Sequence, residues 1–327
     1  MTTFTKRRAR VVRSVTAREP RNPRRLLLYI GIAIGFAAIG FAATLAPGQS
    51  GFTARQTFAP LGGRPSAVAA TTNALYVADD QTGSVRVVDA HTLHEVGRPI
   101  AVGASPVAVV VADGSLFVGQ SSGDITRVSL TTRRVSGRIH AGGSITGLAF
   151  DGRHVWAADL QRRELESIDP HRMRVVRRVH AVAAVRVAAT RKAVWATTAN
   201  DQVLRYEPAT RRIQRTSVGP GPIGLVVDRS AVWVAVGDGA RVVRLNASSM
   251  RVTDRIRVGH GPVNLAEARG VVWVTNNDDQ TLSTIDARSR RVVGAPLDVQ
   301  PDLRGAAVSS DVWFVGTDPS GLVKAGG

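Results

Sequence analysis

The chain of 327 residues contains no cysteine. This absence excludes disulfide bonds, cysteine-ligated zinc, thiol nucleophiles and a lipid-modified N-terminal cysteine. Aromatic residues make up only 5% of the sequence and apolar residues 44%, so a core must be built mainly from Val, Ala, Leu and Ile. Lysine occurs three times, which leaves arginine to supply 40 of the 43 basic side chains and most of the net charge of +18. A single arginine is therefore a weak functional signal in this chain.

The N-terminal region has the pattern of a membrane-spanning segment. Residues 1–25 carry nine basic side chains and one acidic one, and residues 26–46 (LLLYIGIAIGFAAIGFAATLA) carry no charge. In helical form those 21 residues extend over about 31 Å, enough to cross a bilayer. Basic flanks stay on the cytoplasmic side. We therefore expect a basic cytoplasmic tail (1–25), a transmembrane helix that acts as a signal anchor (26–46), a linker (47–53) and an extracytoplasmic domain (54–327).

A cleaved export signal is the alternative interpretation of the same segment. Its apolar region would be shorter, roughly 7–15 residues, and would end at a small-residue cleavage site. Under this interpretation the protein is secreted. Under either one, residues 54–327 are exported.

Helical periodicity is missing from residues 54–327, which instead repeat at intervals of about 40 residues. Tryptophans recur at spacings of 39, 38, 40 and 40 residues, at Trp156, Trp195, Trp233, Trp273 and Trp313. Tyr76 and Phe117 extend the period backwards in the same Val- and Ala-rich setting. Seven aromatics at this spacing indicate an array with one supersecondary unit per repeat. We predict that these aromatics pack in the core and do not form a ligand cage.

Each repeat contains four short β-branched runs separated by turn residues. In residues 259–297 the runs VNLAEA, VVWVTN, TLSTID and RVVGAPL follow one another. Four strands per repeat, arranged radially, form a β-propeller. We therefore predict an all-β fold, a seven-bladed β-propeller.

The two ends of the chain are expected to close the ring. The seventh repeat ends after LVKAGG without a fourth strand, and an additional strand, ARQTFAPLGGRP, precedes the first repeat. We predict that residues 54–61 pair with the strand near Gly321–Lys324. This N-terminal strand would complete the last blade and leave no long open edge.

The repeats resemble a known class of propellers. VVWVTNNDDQTLSTID (271–286) resembles the YVTN-type repeat, and YVADDQTGSVRVVD (76–89) and WAADLQRRELESID (156–169) are further copies. The wider resemblance includes NHL-type and virginiamycin B lyase-like propellers, whereas the Trp-Asp pair of WD40 repeats is missing. This resemblance implies an exported or surface-displayed binding module.

Alternate turns of four-stranded blades lie on opposite faces of a propeller. We name as the mouth face the one with the loops that enter each blade and those between second and third strands, and as the underside the one with the remaining turns. The mouth-face loops are rich in acids, namely Asp79, Asp80, Asp124, Asp159, Glu164, Asp201, Asp238, Asp278, Asp279 and Asp318. The underside turns are rich in arginine. We therefore predict one acidic and one basic face, each attracting ligands of opposite charge.

The mouth face is the concave end where propellers commonly hold ligands. The ligand-binding residues predicted there are Asp79, Gln120, Asp159, Asn200, Asp238, Asn276 and His260. Carboxylate and carboxamide groups suit hydroxyls, amides or cations. Asp and Asn at strand ends also cap turns without any ligand, and this alternative stays open for each residue.

The underside is predicted to contact an anionic surface, such as lipid head groups or an acidic wall polymer. The arginines proposed for this contact are Arg133, Arg134, Arg172, Arg174, Arg211, Arg212, Arg290 and Arg291. The alternative is that they are solvated turn tips. Nucleic acid is disfavoured because these turns carry no aromatic residue for base stacking.

Catalytic signals are weak. The resemblance to virginiamycin B lyase-like enzymes implies a histidine that works with a metal on the mouth face, where His140, His180 and His260 are expected. The chain lacks the Gly-Pro-Asp-Gly and Trp-Phe-Thr-Glu signature of that group, and we identify no glutamate beside His260. We therefore predict no catalytic residue, no metal and no cofactor.

The sequence as a whole favours a membrane-tethered, extracytoplasmic binding or scaffolding module without enzymatic activity. Its expected partners are the membrane, through the single span, and a cell-envelope component or another protein. A metal-assisted lyase and a sensor ectodomain remain as alternatives.

Overall fold

The computed structural model describes residues 55–180, 183–228, 230–300 and 302–326. These residues form seven antiparallel β-sheets, which confirms the predicted all-β seven-bladed propeller. The predicted tail, transmembrane helix and linker lie outside the described residues. Within the described residues no helix is long and apolar enough to span a membrane, and the helical structure there is a single 3₁₀ turn, Gly237–Gly239.

The propeller is closed by a strand from each end of the chain. Strand β1 (Arg55–Pro60) pairs antiparallel with β29 (Ser320–Gly326), with Thr57 opposite Lys324 and Pro60 opposite Gly321. The outer strand of blade 7 is therefore β1, as predicted.

The remaining strands follow one another from the inside to the outside of each blade. Blade 1 contains β2 (Pro65–Ala70), β3 (Ala74–Asp79), β4 (Ser84–Asp89) and β5 (Ile100–Ala101). Blade 2 contains β6 (Pro106–Ala112), β7 (Ser115–Gln120), β8 (Asp124–Ser129) and β9 (Val135–His140). Blade 3 contains β10 (Ile145–Phe150), β11 (Val155–Asp159), β12 (Glu164–Asp169) and β13 (Arg174–His180). Blade 4 contains β14 (Ala184–Ala189), β15 (Val194–Thr198), β16 (Gln202–Glu207) and β17 (Arg212–Ser217).

Blades 5 to 7 continue this order. Blade 5 contains β18 (Pro222–Val227), β19 (Ala231–Val236), β20 (Arg241–Asn246) and β21 (Val252–Arg257). Blade 6 contains β22 (Pro262–Ala268), β23 (Val271–Asn276), β24 (Thr281–Asp286), and the short β25 (Arg291–Val292) and β26 (Leu297–Asp298), which both pair with β24. Blade 7 contains β27 (Leu303–Val308), β28 (Val312–Thr317), β29 and β1.

The core lies between neighbouring blades. The seven aromatics of the repeat are all buried, with exposed fractions of 8% or less, which confirms their predicted role in packing. The rings of Trp156 in blade 3 and Tyr206 in blade 4 meet edge to face with centroids 5.7 Å apart. Each such contact removes large apolar surfaces of two blades from water together.

The inner strands are joined to one another near the mouth face. Each inner strand shifts register there against its second strand. Side chains at these bulges reach carbonyl oxygens of the next blade: Ser66 Oγ donates to Pro106 O at 2.6 Å and Asn264 Nδ2 to Leu303 O at 3.0 Å. These bonds link successive blades around the central channel.

Candidate functional site

Four of the seven residues predicted to bind a ligand are almost fully buried. Their exposed fractions are 0, 3, 0 and 1% for Asp79, Gln120, Asp159 and Asn276. Each lies at the mouth-face end of the second strand of its blade.

Asp159 organises the loop that enters blade 3. Its carboxylate accepts the backbone N–H groups of Gly143 at 2.6 Å and Ser144 at 3.1 Å, and that of Arg162 in its own turn at 2.9 Å. The oxygens are thus engaged by backbone donors, the turn chemistry that Asp favours.

Asp79 has the same role in blade 1. It accepts the backbone N–H of Arg64 at 3.1 Å and that of Thr82 at 3.2 Å, and its Oδ2 pairs with Arg86 at 3.2 Å. Burial alone would raise the pKa of Asp79, but these donors outweigh burial and hold the pKa below its ordinary value.

The two carboxamides are also bound within the fold. Gln120 Nε2 donates to Val102 O at 2.8 Å, and Asn276 Nδ2 donates to Ser283 Oγ at 2.9 Å. The four buried residues therefore present little or no surface at the mouth, and their ligand role stays a prediction.

Glycine makes this close loop contact possible. A Cβ atom on Gly142 would lie 1.9 Å from Asp159 Oδ2, closer than any real contact. The loop backbone can approach the carboxylate only because no side chain intervenes.

The other three predicted residues, Asn200, Asp238 and His260, are exposed on the mouth face. His260 Nδ1 lies 3.0 Å from Asp279 Oδ1, and the His260 backbone N–H donates to Asp279 Oδ2 at 2.6 Å. The N–H bond and the imidazole hold the pKa of Asp279 below its ordinary value. The sequence search for a glutamate missed this aspartate partner.

Two further mouth-face histidines also pair with a carboxylate. His140 Nδ1 lies 2.8 Å from Asp124 Oδ1, and His180 Nδ1 lies 3.1 Å from Glu164 Oε1. The His140 bond lowers the pKa of Asp124. These pairs lie on separate blades, and the described residues contain no group of three or more His, Asp or Glu that could hold a metal ion.

A buried acid beside the mouth was not anticipated from the sequence. Glu166 has no exposed surface, and its Oε2 has no hydrogen-bond partner, whereas Oε1 accepts Arg178 Nε at 3.0 Å. Burial is the main cause of its raised pKa, and the charges of Asp159 and Glu164 add to it. The signal was its place in the middle of β12, where strand residues facing a neighbouring blade are usually apolar.

All eight arginines proposed for the anionic contact are exposed in underside turns or at the strand ends next to them. Arg133, Arg211 and Arg290 adopt the left-handed conformation, with φ of 54°, 60° and 62°. In each turn the N–H of that residue bonds to the carbonyl four residues earlier. The turns are therefore ordered.

The underside carries a groove between blades 3 and 4 with a volume of about 780 Å³. Five arginines line it: Arg153, Arg172, Arg174, Arg177 and Arg191. Its two lining carboxylates are engaged locally, since Asp151 accepts Trp156 Nε1 at 2.7 Å and Asp169 accepts the N–H of Arg172 at 3.0 Å. The groove therefore has an excess of positive charge.

The run GQSSG (119–123) has the spacing of a nucleophile elbow. It joins the antiparallel strands β7 and β8, whereas an elbow needs a sharp strand-to-helix turn. This part of the fold provides no such nucleophile.

Comparisons with known proteins support the fold. No family model and no curated protein matches the chain. Among solved structures, hydrazine synthase of Kuenenia stuttgartiensis is similar, with a TM-score of 0.70, 15% identity and coverage of 79% of this chain and 94% of that one. Streptogramin B lyase is similar with a TM-score of 0.68 and 11% identity over 84% and 97% of the two chains. The structure of U3-55K is similar with a TM-score of 0.71 and 11% identity over 83% and 98%. The chain is thus similar in fold to virginiamycin B lyase-like and other propellers.

Proposed function

We propose that the protein is a non-enzymatic binding module, held outside the cell membrane by residues 26–46, whose underside groove binds an acidic polymer of the cell envelope. The observation that carries this proposal is the groove of about 780 Å³ lined by five arginines. Its volume lies within the range of about 300–1,000 Å³ that ligand sites commonly have.

The shape of the groove favours a polymer chain over a flat bilayer. Arg177 is partly buried in it, with Nη1 donating to Tyr206 OH and to Pro208 O, both at 2.8 Å. A guanidinium held in this way is preorganised for a phosphate or carboxylate. We expect a single chain to enter a groove of this volume and to reach Arg177, whereas the head groups of an intact bilayer should contact mainly the exposed arginines.

The polymer proposal is tested by measuring binding to the full chain purified in a non-ionic detergent. The probes are poly(glycerol phosphate), poly-glutamate, phosphatidylglycerol vesicles and single-stranded DNA. The variant Arg172→Gln/Arg174→Gln removes two groove charges, and Arg290→Gln/Arg291→Gln removes two charges from a blade 6 turn. Whichever of poly(glycerol phosphate) and poly-glutamate the wild type binds, we expect Arg172→Gln/Arg174→Gln to weaken that binding at least tenfold. The control variant, Arg290→Gln/Arg291→Gln, should weaken it less than threefold.

The salt dependence gives a second readout. Each phosphate of a flexible chain that a variant no longer binds should reduce the slope of log K against log salt by about 0.7. Equal weakening in both variants would show diffuse attraction to the basic face and contradict the groove. Tighter binding of the vesicles or of single-stranded DNA than of either acidic polymer would contradict the proposal that the ligand is a cell-envelope polymer.

The membrane attachment is tested separately with reporters fused to the C-terminus. We expect alkaline phosphatase to be active and a fused green fluorescent protein to be dark when it is exported unfolded. Deletion of residues 1–46 should reverse both results. A chain that has lost its N-terminal segment and is recovered in the soluble extracytoplasmic fraction would favour the cleaved export signal.

The lyase alternative depends on His260, which is paired with Asp279. It predicts metal-dependent cleavage of streptogramin B that is lost in His260→Ala. The binding module predicts no turnover with or without Mg²⁺. A metal-dependent activity that His260→Ala abolishes would overturn the non-enzymatic proposal.

A further inference from the structure

The central channel contains a charged side chain in a ring of small residues. One position in each inner strand, within or just after the register shift, lines a cavity of about 150 Å³ in the channel. Around the ring these residues are Ala67, Ala108, Gly147, Arg186, Gly224, Asn264 and Gly305.

The small residues are required by the close approach of neighbouring strands. A Cβ on Gly224 would lie 2.3 Å from Val263 O, and one on Gly305 would lie 2.9 Å from Ala67 Cα. Two positions of the ring carry larger side chains: Asn264 of blade 6, which donates to Leu303 O, and Arg186 of blade 4, which is the charged one and lines the channel cavity.

Arg186 is held by one of its three nitrogens. Its Nη1 donates to Thr146 O of blade 3 at 2.8 Å and to Val185 O at 3.2 Å. Within the described part of the chain, Nε and Nη2 have no hydrogen-bond partner, and no carboxylate pairs with the group. Protein surrounds the guanidinium, and burial lowers its pKa, yet part of the residue remains accessible from the cavity.

This geometry leaves the side-on edge of the guanidinium available. Nε–H and the adjacent Nη2–H point in parallel, the arrangement that binds two oxygens of one carboxylate or oxyanion. Arginine does not lose its proton in proteins, so a buried, uncompensated charge remains unless an anion or water approaches it.

The charge and size of the cavity restrict the ligand. A second arginine of the lining, Arg304, already has Asp302 Oδ2 at 2.7 Å, so Arg186 contributes the one positive charge that is not balanced in this way. A volume of about 150 Å³ corresponds to roughly five water molecules at about 30 Å³ each. We propose that the channel binds one small, singly charged oxyanion, either inorganic or a short-chain carboxylate, on the Nε/Nη2 edge of Arg186.

The test uses the full chain in non-ionic detergent at constant ionic strength, with chloride as the background anion. Nitrate, acetate, propionate, butyrate and octanoate are titrated by calorimetry, and trifluoroacetate is followed by ¹⁹F NMR. We expect saturable binding of one anion per chain among nitrate and the carboxylates up to four carbons, and exclusion of octanoate by the cavity volume. Nitrate alone would identify an inorganic ligand, and acetate to butyrate a carboxylate.

Arg186→Gln should weaken this binding at least tenfold, whereas the exposed Arg211→Gln should leave it unchanged. Arg186→Gln should also retain polymer binding to the underside groove, so the two proposals fail independently. The proposal is overturned if no small anion saturates, or if Arg186→Gln binds as the wild type does.

A measurement on the wild type avoids dependence on a variant that does not fold. Crystals soaked in bromoacetate should give an anomalous peak within the channel beside Arg186. A peak confined to surface arginines would overturn the proposal.

Discussion

The equivalent tryptophans of different blades differ in whether their indole N–H has a hydrogen-bond partner. In blades 3 and 5 an aspartate five residues before the tryptophan accepts the indole N–H, at 2.7 Å for Asp151 and 2.9 Å for Asp228. Blade 4 has Thr190 at that place, and the indole nitrogen of Trp195 is buried without a partner. A buried donor left unsatisfied costs about 1–3 kcal/mol.

We predict that Thr190→Asp stabilises the protein. The aspartate would keep the turn bonds that Thr190 Oγ1 now accepts from Lys192 and Ala193, both at 3.3 Å, and would also reach Trp195. Satisfying the indole should add about 1 kcal/mol to the free energy of unfolding, or about 2–4 °C in Tm, measured by calorimetry. The reverse change, Asp228→Thr, should lower Tm by a similar amount. An unchanged or lower Tm for Thr190→Asp would contradict the inference that the unpaired indole N–H of Trp195 destabilises the fold.

Gly142 is predicted to be intolerant of a side chain. Gly142→Ala would place Cβ against Asp159 Oδ2, which belongs to a buried residue and accepts the backbone N–H of Gly143. Overpacking of this kind costs about 1–3 kcal/mol, and the lower Tm should be accompanied by faster proteolysis of the loop. Gly62→Ala is the control, because its Cβ would meet Arg86 at 3.6 Å, an ordinary contact. Equal effects of both variants would contradict the proposed close approach.

Glu166 should make the molecule less stable as the pH rises. Its folded-state pKa is raised, mainly by burial, so the folded state favours the protonated form. The stabilisation that this proton provides is present below the ordinary glutamate pKa of about 4.3 and is lost as the pH rises through the folded value. Gln mimics the protonated form at every pH. The Tm of Glu166→Gln relative to the wild type should therefore increase from pH 4 to pH 8, and a constant difference would show that the charge is not the cause.

The outcomes for single residues show how far sequence reasoning reached. The aromatics were identified because their period is visible in the chain. The polar strand ends were given a binding role, yet Asp79 and Asp159 bind backbone N–H groups of loops 15 or 16 residues away, contacts that no local pattern displays. Arg186 could not be singled out from the sequence, because a chain with 40 arginines makes any one of them a weak signal. The available signal was its place in AVRVAA (184–189), where the other repeats have Ala, Gly or Asn.

Among the elements, strand β1 has the largest effect on the fold for its length. It is the outer strand of blade 7, and Phe58 packs so closely on β29 that a Cβ on Gly321 would lie 2.3 Å from its ring. The pairing was predictable because the last repeat lacks a strand and the first residues supply one. The outer strands of blades 1 and 6 are interrupted, which the sequence analysis did not predict. Each interruption falls at a Gly-x-Pro run whose glycine, Gly97 or Gly294, adopts a left-handed φ.

Thr57→Pro is predicted to open the propeller at this strand. Leu61 N–H donates to Ser320 O at 3.0 Å, and the alternation of an antiparallel ladder then places Thr57 at a hydrogen-bonded position and Pro60 at a non-bonded one. Proline at position 57 removes a donor from the ladder. We expect Tm to fall by several degrees and hydrogen exchange in β29 to accelerate, whereas Thr57→Ala should stay within about 0.5 kcal/mol of the wild type. Wild-type exchange in Thr57→Pro would contradict the closing role of β1.

At the scale of the whole molecule, the closed ring determines where charge can act. The blades fix the backbone positions of the five groove arginines, and hydrogen bonds hold the side chains of Arg177 and Arg186 before any ligand arrives, which lowers the entropy cost of binding. The two sites differ in volume, which is about 780 Å³ for the groove and about 150 Å³ for the cavity in the channel.

The carboxylates with shifted pKa values predict how the stability of the whole molecule responds to acid. Among the residues that the structure describes, eight carboxyl groups have a pKa below its ordinary value, namely Asp79, Asp89, Asp124, Asp169, Glu207, Asp228, Asp279 and Asp286. Each binds a proton more weakly in the folded than in the unfolded state. Their stabilisation is therefore complete above the ordinary pKa of about 4 and is lost as the pH falls through the depressed folded values.

We accordingly expect Tm, followed by circular dichroism from pH 8 to pH 2, to fall progressively below about pH 4. Asp79→Asn tests the cause, because asparagine resembles a protonated aspartate and cannot provide the charge that Arg86 and the backbone donors stabilise. The variant should have a lower Tm than the wild type at pH 7, and the two curves should converge towards pH 2 as Asp79 of the wild type becomes protonated. A gap that persists unchanged to pH 2 would mean that the bonds of Asp79 stabilise the mouth face through geometry alone and not through its charge.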